Sequence, residues 1–287
     1  MSFTFRSTSI TRLFAVLAAP ALLAGLSACK QATEQPAATA TTDTTVVARP
    51  DSTERYPAAD GFDRVGSDVQ ALALADKVMQ HMGGYAAWQH TRLLGWDFLD
   101  GSYQLWDKQT GDFRWQKDSL VALYNVERKE GHIYKAGQDI SGTLIGQKLL
   151  ENMYPIWVNN SWWLLMPFKL KDSGVTLNYL GPGRFMDSTA AEMLSMRFRN
   201  VGVTPHNRYK LFVNPQTSLV EEWAFYKDAN DSLPAFRRRW ADYRRYGRLL
   251  LASDRTDGQD GRRLNHIVAL DSVPAGVMTN PQLIQPL

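Results

Sequence analysis

Apolar residues along the folded part of the chain recur first with helical spacing and then with a period of two. Apolar positions between residues 68 and 81 predict an amphipathic helix, which Ser67 caps and Gly83-Gly84 ends. A short second helix is predicted at 85–90. From residue 92, the alternation of apolar and polar residues, interrupted by hairpin turns, predicts a meander of strands. These strands are 92–99, 102–108, 113–117, 120–128 and 132–136.

The middle of the chain returns to helical spacing, and a second set of strands follows it. Helical periodicity covers 141–154 and 157–166, and Pro155 is predicted to break or kink the run between them. This order of elements is typical of an α+β domain with a long antiparallel sheet and helices gathered on one side. The second set of predicted strands comprises 175–180, 191–198, 209–214, 219–225, 235–243, 248–253 and 264–270.

The amino-terminal segment has the composition of a secretory signal peptide. Arg6 and Arg12 precede an apolar run at 13–24, which is too short to span a bilayer as a helix. The sequence Leu26-Ser27-Ala28-Cys29 resembles a bacterial lipobox. This resemblance implies that residues 1–28 are removed and that Cys29 carries acyl chains, each buried CH₂ contributing about 0.8 kcal/mol to membrane anchoring. The alternative is an ordinary secretory cleavage site with a cysteine there by chance.

Composition divides the rest of the chain into a tether and one domain. Residues 29–66 are nearly free of large apolar residues, which predicts a disordered tether behind Cys29. Residues 67–287 are dense in aromatic residues and leucine, enough for a single domain with a sizeable core. Because Cys29 is the single cysteine of the sequence, an internal disulfide is excluded, and so is a catalytic thiol if Cys29 is acylated.

Charge does not favour a nucleic-acid partner. The formal net charge of +3 falls to +1 when residues 1–28, which hold two arginines and no acids, are removed. We expect no nucleic-acid partner for an exported chain of this charge. One strand is rich in arginine, and alternation places Arg237 and Arg239 on one of its faces. These two residues are candidates for contact with a lipid head group, or else they belong to a solvated strand edge.

The order of elements behind the lipobox is similar to that of the lipoprotein-carrier superfamily. This resemblance implies a curved antiparallel β-sheet, or half-barrel, with helices packed on its concave side over a cavity that accepts acyl chains. The local motifs resemble a group of outer-membrane lipoproteins from Bacteroidetes-type bacteria that has no established activity. The motifs are Met82-Gly83-Gly84 with Trp88, Leu105-Trp106-Asp107 followed by Thr110-Gly111, Trp163-Leu164-Leu165-Met166-Pro167 with Lys169-Leu170, Gly202-Val203-Thr204-Pro205, Trp223-Ala224-Phe225-Tyr226, and Trp240 with Asp242-Tyr243 and Tyr246-Gly247.

A cavity of this kind would be lined by large apolar residues of the strands and of the middle helices. Methionine and aromatic side chains suit a cavity that adapts to flexible lipids. The alternative is a filled core, because strand aromatics with a period of two are expected there with or without a ligand. The candidate lining residues are Trp96, Phe98, Leu105, Trp115, Leu149, Met153, Trp163, Met166, Trp223 and Phe225.

The sequence carries no familiar motif for catalysis, metal binding or cofactor binding. Its five histidines form no HExxH or similar spacing, and there is no GxSxG motif, no P-loop and no GxGxxG after a strand. Glu221 and Glu222 are expected on opposite faces of a strand, which disfavours a hydrolase with two facing carboxylates. We therefore expect no cofactor and no metal. An enzyme would need acids and histidines that converge in the fold.

We interpret the chain as a lipid-anchored protein of the cell envelope that binds a lipid or another amphiphile without catalysing a reaction. Lys30 follows Cys29 directly and differs from the aspartate associated with inner-membrane retention in enteric bacteria, which favours the outer membrane. Two alternatives stay open. One is an envelope hydrolase or lyase, and the other is a glycan-binding or scaffold module that uses exposed tryptophans.

Overall fold

The computed structural model describes residues 56–199, 201–257 and 260–287. The predicted signal peptide, Cys29 and most of the predicted tether lie outside these described residues. Within them, the helices are α1 (Val69–His81), α2 (Tyr85–His90) and α3 (Leu144–Leu165), and a 3₁₀ turn at Met166–Lys169 follows α3 directly. No helix among the described residues combines the length and the apolar character that crossing a membrane requires.

Strands make up most of the regular structure in the described part of the chain. In chain order they are β1 (Leu93–Asp97), β2 (Tyr103–Asp107), β3 (Asp112–Lys117), β4 (Leu120–Asn125), β5 (Glu130–Lys135), β6 (Gln138–Asp139), β7 (Val175–Arg184), β8 (Ala190–Phe198), β9 (Arg208–Val213), β10 (Val220–Tyr226), β11 (Phe236–Arg239), β12 (Ala241–Tyr246), β13 (Leu249–Asp254) and β14 (Asn265–Leu270).

The described strands pair as antiparallel sheets. A seven-stranded sheet has the order β14-β1-β2-β3-β4-β5-β6, so that the last strand of the chain joins the first. A five-stranded sheet has the order β11-β10-β9-β8-β7, and β12 pairs with β13. Helix α3 packs against β4, β5 and β13, and α1 packs against β7. The predicted fold class is confirmed: the domain is mixed α+β, with large antiparallel sheets that do not close into a barrel and with helices packed against them.

Helix α3 runs through Pro155 as one helix, so the predicted break of the helical run at this residue does not occur. The Thr143 side chain caps its start by accepting a hydrogen bond from the Gly146 amide at 3.1 Å. Apolar residues on both sides of the proline, including Leu149, Met153 and Trp157, pack against the same face of the seven-stranded sheet. This shared packing outweighs the single backbone hydrogen bond that proline removes, so one helix forms instead of two.

The predicted strand at 235–243 is divided at Trp240. Trp240 is fully buried, and its amide donates to the Glu221 carbonyl at 2.7 Å. Before this residue, β11 belongs to the five-stranded sheet. After it, β12 leaves that sheet and pairs with β13. The indole of Trp240 therefore fills the core at the point where the chain changes sheets.

Residues 56–66 pack against the domain, although composition assigned them to the tether. The Tyr56 side chain is buried, and its hydroxyl donates to the Phe168 carbonyl at 2.6 Å. The ammonium of Lys171, itself buried, donates to the Tyr56 carbonyl at 3.0 Å and pairs with Asp76 at 2.6 Å. Composition did not predict this packing, because one anchoring tyrosine and the backbone hydrogen bonds around it hardly change the mean polarity of the segment.

The carboxy-terminal segment covers the outer face of the seven-stranded sheet. Arg114 is fully buried on β3, and its guanidinium donates to the carbonyls of Val277 at 3.2 Å, Asn280 at 2.7 Å and Gln282. Burial lowers the pKa of Arg114 to about 10, which leaves it charged at neutral pH. Since a buried cation must be satisfied by hydrogen bonds, this arginine fixes residues 277–282 in place.

Candidate functional site

A groove of about 400 Å³ lies between the carboxy-terminal half of α3 and the five-stranded sheet. Helix residues supply one wall, and strands β8 to β11 supply the other. The loop after β8 borders it with Val201 and Val203. Nine aromatic residues line the groove: Tyr154, Trp157, Trp162, Trp163, Phe198, Tyr209, Trp223, Phe225 and Phe236.

The aromatic wall of the sheet follows from the strand register. Tyr209 on β9 lies opposite Phe225 on β10, and Phe225 lies opposite Phe236 on β11, so three neighbouring strands place a ring at the same level. Trp223 precedes Phe225 by two positions and therefore shares its face. The ring centroids of Tyr209 and Trp223 are 5.5 Å apart and nearly parallel, and those of Phe225 and Phe236 are 5.2 Å apart.

Two tryptophans at the end of α3 join this wall. The Trp163 ring meets the Trp223 ring edge to face, with centroids 5.0 Å apart and planes at 90°. The Trp162 ring lies 4.8 Å from that of Tyr209. Consecutive residues of a helix normally diverge by about 100°, so together these two rings span the width of the groove.

Arg255 fixes the end of α3. Its side chain is fully buried, and its guanidinium donates to the Trp163 carbonyl at 2.9 Å and to two carbonyls of its own strand end. It also stacks over the Trp240 ring at 3.5 Å. Burial lowers the pKa of Arg255 to about 9, which still leaves the guanidinium charged at neutral pH. The backbone that carries Trp163 is thus held to β13 by a charged hydrogen bond.

The polar residues of the groove include both exposed and buried side chains. Lys169 and Asp172 form an ion pair at the 3₁₀ turn, with both side chains partly exposed. Thr204 is exposed, whereas Ser161 and Asn207 are buried. Burial raises the pKa of the Tyr209 phenol to about 12, so this hydroxyl is protonated at neutral pH. A molecule in the groove would therefore meet mainly aromatic surface, together with a few buried hydrogen-bonding groups and the partly exposed Lys169–Asp172 pair.

The groove has few titratable side chains in its described lining. Its described lining contains no histidine, and its carboxylate, Asp172, is held by Lys169. The histidine–aspartate pairs at His132–Asp139 (2.8 Å) and His266–Asp97 (2.6 Å) are on the seven-stranded sheet and do not line it. No cluster of three or more His, Cys, Asp or Glu residues suited to a metal ion occurs in the described part of the chain. General acid–base chemistry needs a titratable group that faces the reacting atoms, and in this lining such groups are the Lys169–Asp172 pair and the phenols of Tyr154 and Tyr209.

Comparison with known proteins shows a distant structural likeness and no sequence relative. No family model and no curated protein matches the chain. Among solved structures, a DUF1329 family protein from Desulfovibrio piger resembles it with a TM-score of 0.35 and 10% sequence identity. The match covers 69% of this chain and 92% of that one. At this level of similarity, it assigns neither a ligand nor an activity to this chain.

The structure brings three of the ten predicted cavity residues into the groove: Trp163, Trp223 and Phe225. The remaining seven fill other parts of the domain. Trp96, Phe98 and Met166 belong to the largest apolar cluster of the core, and Trp115, Leu149 and Met153 belong to the cluster between α3 and the seven-stranded sheet.

Leu105 lies on the opposite face of the seven-stranded sheet. It pairs with Gly95 and Arg114, whereas the neighbouring register position pairs Gln104 with Trp96 and Trp115. Because the side-chain period of a strand is two, Leu105 points away from these tryptophans and packs beside Val277. A cavity cannot therefore include Leu105 together with Trp96 and Trp115.

The two predicted head-group contacts also face away from the groove. Phe225 pairs with Phe236 and Ala224 with Arg237, so Arg237 and Arg239 are on the face opposite the aromatic wall. Arg237 forms an ion pair with the buried Glu222. Arg239 borders a smaller polar pocket of about 230 Å³. Alternation had correctly placed the two arginines on one face, but the sequence did not show which face carries the groove.

The sequence did not predict several residues of the groove. Tyr209 and Phe236 lie beside Phe225 through a strand register that depends on the connections 214–219 and 227–235, for which the sequence carried no signal. Helical periodicity placed Trp157 and Trp162 in a helix, but it did not indicate which part of the domain their side chains face. Lys169 and Asp172 follow the helix, and their pairing depends on the 3₁₀ turn.

Proposed function

We propose that this protein binds a lipid or another amphiphile in the aromatic groove and catalyses no reaction. The observation that carries this proposal is the groove itself, about 400 Å³ in volume, with nine aromatic residues and a few polar groups in its lining. Ligand pockets are typically 300–1,000 Å³, mainly apolar, with a few polar groups that fix orientation. An apolar body with one polar end would match this distribution.

We further propose that the protein is anchored to a membrane of the cell envelope through acylated Cys29, with the outer membrane favoured. The support is the lipobox-like sequence ending at Cys29 and the lysine that follows it. The likeness to the lipoprotein carriers and to the Bacteroidetes-type lipoproteins belongs to the same proposal. Incorporation of an alkyne-labelled palmitate, abolished by Cys29→Ser, tests the anchor independently of the groove.

A titration of the purified protein with a dansyl-labelled undecanoic acid tests binding in the groove. We expect a saturable rise in dansyl fluorescence with one site per chain. The variant Val203→Asp places a charge at the groove on a residue that is 47% exposed, so it should weaken binding at least tenfold without disturbing the core. The matched control Leu233→Asp changes a residue that is 78% exposed and outside the groove.

The two variants separate binding in the groove from adsorption elsewhere. The proposal is supported if Leu233→Asp keeps its affinity for the dansyl fatty acid within twofold of the original and Val203→Asp loses binding. Absence of saturable binding, or equal affinity in both variants, contradicts it.

A further inference from the structure

The walls of the groove are made of rings and short side chains. Its described lining includes nine aromatic residues and four valines, and it contains no methionine, leucine or isoleucine. Methionine and other long aliphatic side chains are the residues that adjust to a ligand of variable shape. Aromatic side chains have two χ angles and form rigid contact surfaces. The composition of the lining therefore differs from the adaptable wall that the sequence analysis expected for a lipid cavity.

Ring-to-ring contacts restrict these side chains further. Tyr209 touches the rings of Trp162 at 4.8 Å, Phe225 at 5.3 Å and Trp223 at 5.5 Å. Trp223 in turn contacts Phe236 at 5.1 Å. Seven of the nine rings belong to this connected network: Trp162, Trp163, Phe198, Tyr209, Trp223, Phe225 and Phe236. A ring in such a network cannot change rotamer without displacing its neighbours.

Three of the four indole nitrogens of the groove are not accessible to a ligand. Those of Trp157, Trp162 and Trp223 are buried and have no hydrogen-bond partner among the described residues. Trp163 meets Trp223, and Phe198 meets Trp162, in edge-to-face contacts that surround these indoles with ring surface. These three tryptophans thus contribute to recognition through shape and ring contact.

Resting on the proposed function, we propose that the ligand is an amphiphile with a flat, ring-containing body and one polar end, and not a saturated acyl chain. A preformed, rigid groove favours a ligand that is already rigid, because a flexible chain loses more conformational entropy when it is confined. Flat rings also gain stacking and edge-to-face contacts that an acyl chain lacks. Lys169 and Asp172, which are partly exposed, accommodate the polar end.

Competition between two carboxylates with different bodies tests this proposal on the full-length protein. The probes are 1-pyrenebutyrate, which has a flat ring system, and palmitate, which has an acyl chain, each below its aggregation concentration. Pyrene fluorescence reports binding, and palmitate is titrated as the competitor. We expect pyrenebutyrate to bind at least tenfold more tightly than palmitate.

Removing one ring from the groove gives a second readout. Phe225→Leu and Phe236→Leu keep the wall apolar but remove a ring, so each should weaken pyrenebutyrate binding about fivefold and change palmitate binding less than twofold. Phe212→Leu is the matched control, since Phe212 is a buried ring on the opposite face of the same sheet. Two half-buried positions are used so that the test does not depend on the folding of one variant.

The outcomes distinguish this inference from the proposal on which it rests. Palmitate affinity equal to or above that of pyrenebutyrate, or an equal loss for both probes in the ring-removing variants, overturns the ring preference and leaves amphiphile binding intact. Failure of both probes to bind overturns both. Preference for pyrenebutyrate that falls in Phe225→Leu but not in Phe212→Leu supports both.

Discussion

Replacement of Arg255 by methionine should destabilise the protein and loosen the end of α3 that carries the groove tryptophans. The guanidinium is fully buried and donates to the Trp163 carbonyl at 2.9 Å, the Asp254 carbonyl at 2.8 Å and the Ala252 carbonyl at 3.1 Å. Methionine has a similar length and is apolar, so the change removes the donors without creating a large cavity.

The expected size of this effect comes from two opposing contributions. Three hydrogen bonds from a charged group contribute roughly 1.5–3 kcal/mol each, and the stacking over Trp240 about 2 kcal/mol when it is desolvated. Burial of the charge costs several kcal/mol, as the lowered pKa of Arg255 indicates, and methionine removes this cost. We expect a net loss of about 3 kcal/mol in the free energy of unfolding.

Urea unfolding followed by tryptophan fluorescence measures this loss. Arg245→Met is the matched control, because Arg245 is exposed and donates to a single carbonyl, that of Arg248, at 3.1 Å. Its effect should stay within about 0.5 kcal/mol. The Arg255 variant should also bind the dansyl fatty acid less tightly. A variant with unchanged stability and unchanged affinity would refute the role given to Arg255 in holding Trp163.

Three further substitutions test other parts of the fold. Asp107→Asn should lower stability by about 2 kcal/mol at pH 7, because it weakens the hydrogen bonds from Arg92 at 3.1, 3.2 and 2.8 Å. Desolvation raises the pKa of Asp107, but hydrogen bonds from Arg92 and the Gln109 amide outweigh it and leave the pKa lowered. The stabilisation by Asp107 is therefore complete above the unfolded pKa of about 4 and is lost as pH falls through the folded pKa. The urea midpoints of variant and parent should converge in acid. A gap between the midpoints that stays constant with pH would contradict this. Arg114→Met should release the carboxy-terminal segment and speed its removal by carboxypeptidase about tenfold, and equal rates would show that other contacts hold it. Tyr56→Phe removes the hydroxyl that donates to Phe168, which should lower the thermal midpoint by about 3 °C in calorimetry, and an unchanged midpoint would mean that Tyr56 does not anchor residues 56–66.

The sequence was sufficient for most of the secondary structure because period and turn chemistry are local properties. Alternation and the hairpin turns that interrupt it placed β1 to β3 within one or two residues of their observed bounds. Local signals failed where distant packing decides the outcome. Pro155 lies inside a continuous helix, and Trp240 divides a predicted strand because its indole fills the core.

The candidate site could be predicted only in part, for a geometric reason. Alternation shows which side chains of one strand share a face, and it placed Trp223 and Phe225 on one face, where both line the groove. It does not show which face meets a helix, so the sequence did not show that Leu105 packs beside Val277 or that Arg237 is on the face opposite the aromatic wall. The pairing of β9, β10 and β11, which brings Tyr209 and Phe236 beside Phe225, becomes visible only in the folded sheet.

Native mass spectrometry of the protein purified gently from its own host, followed by extraction of the bound material, tests amphiphile binding most directly. We predict one amphiphile per chain, a loss of this adduct in Val203→Asp, and its retention in Leu233→Asp. A chain that is free of any adduct when purified in this way, and that takes up no amphiphile when one is added, would contradict the central claim.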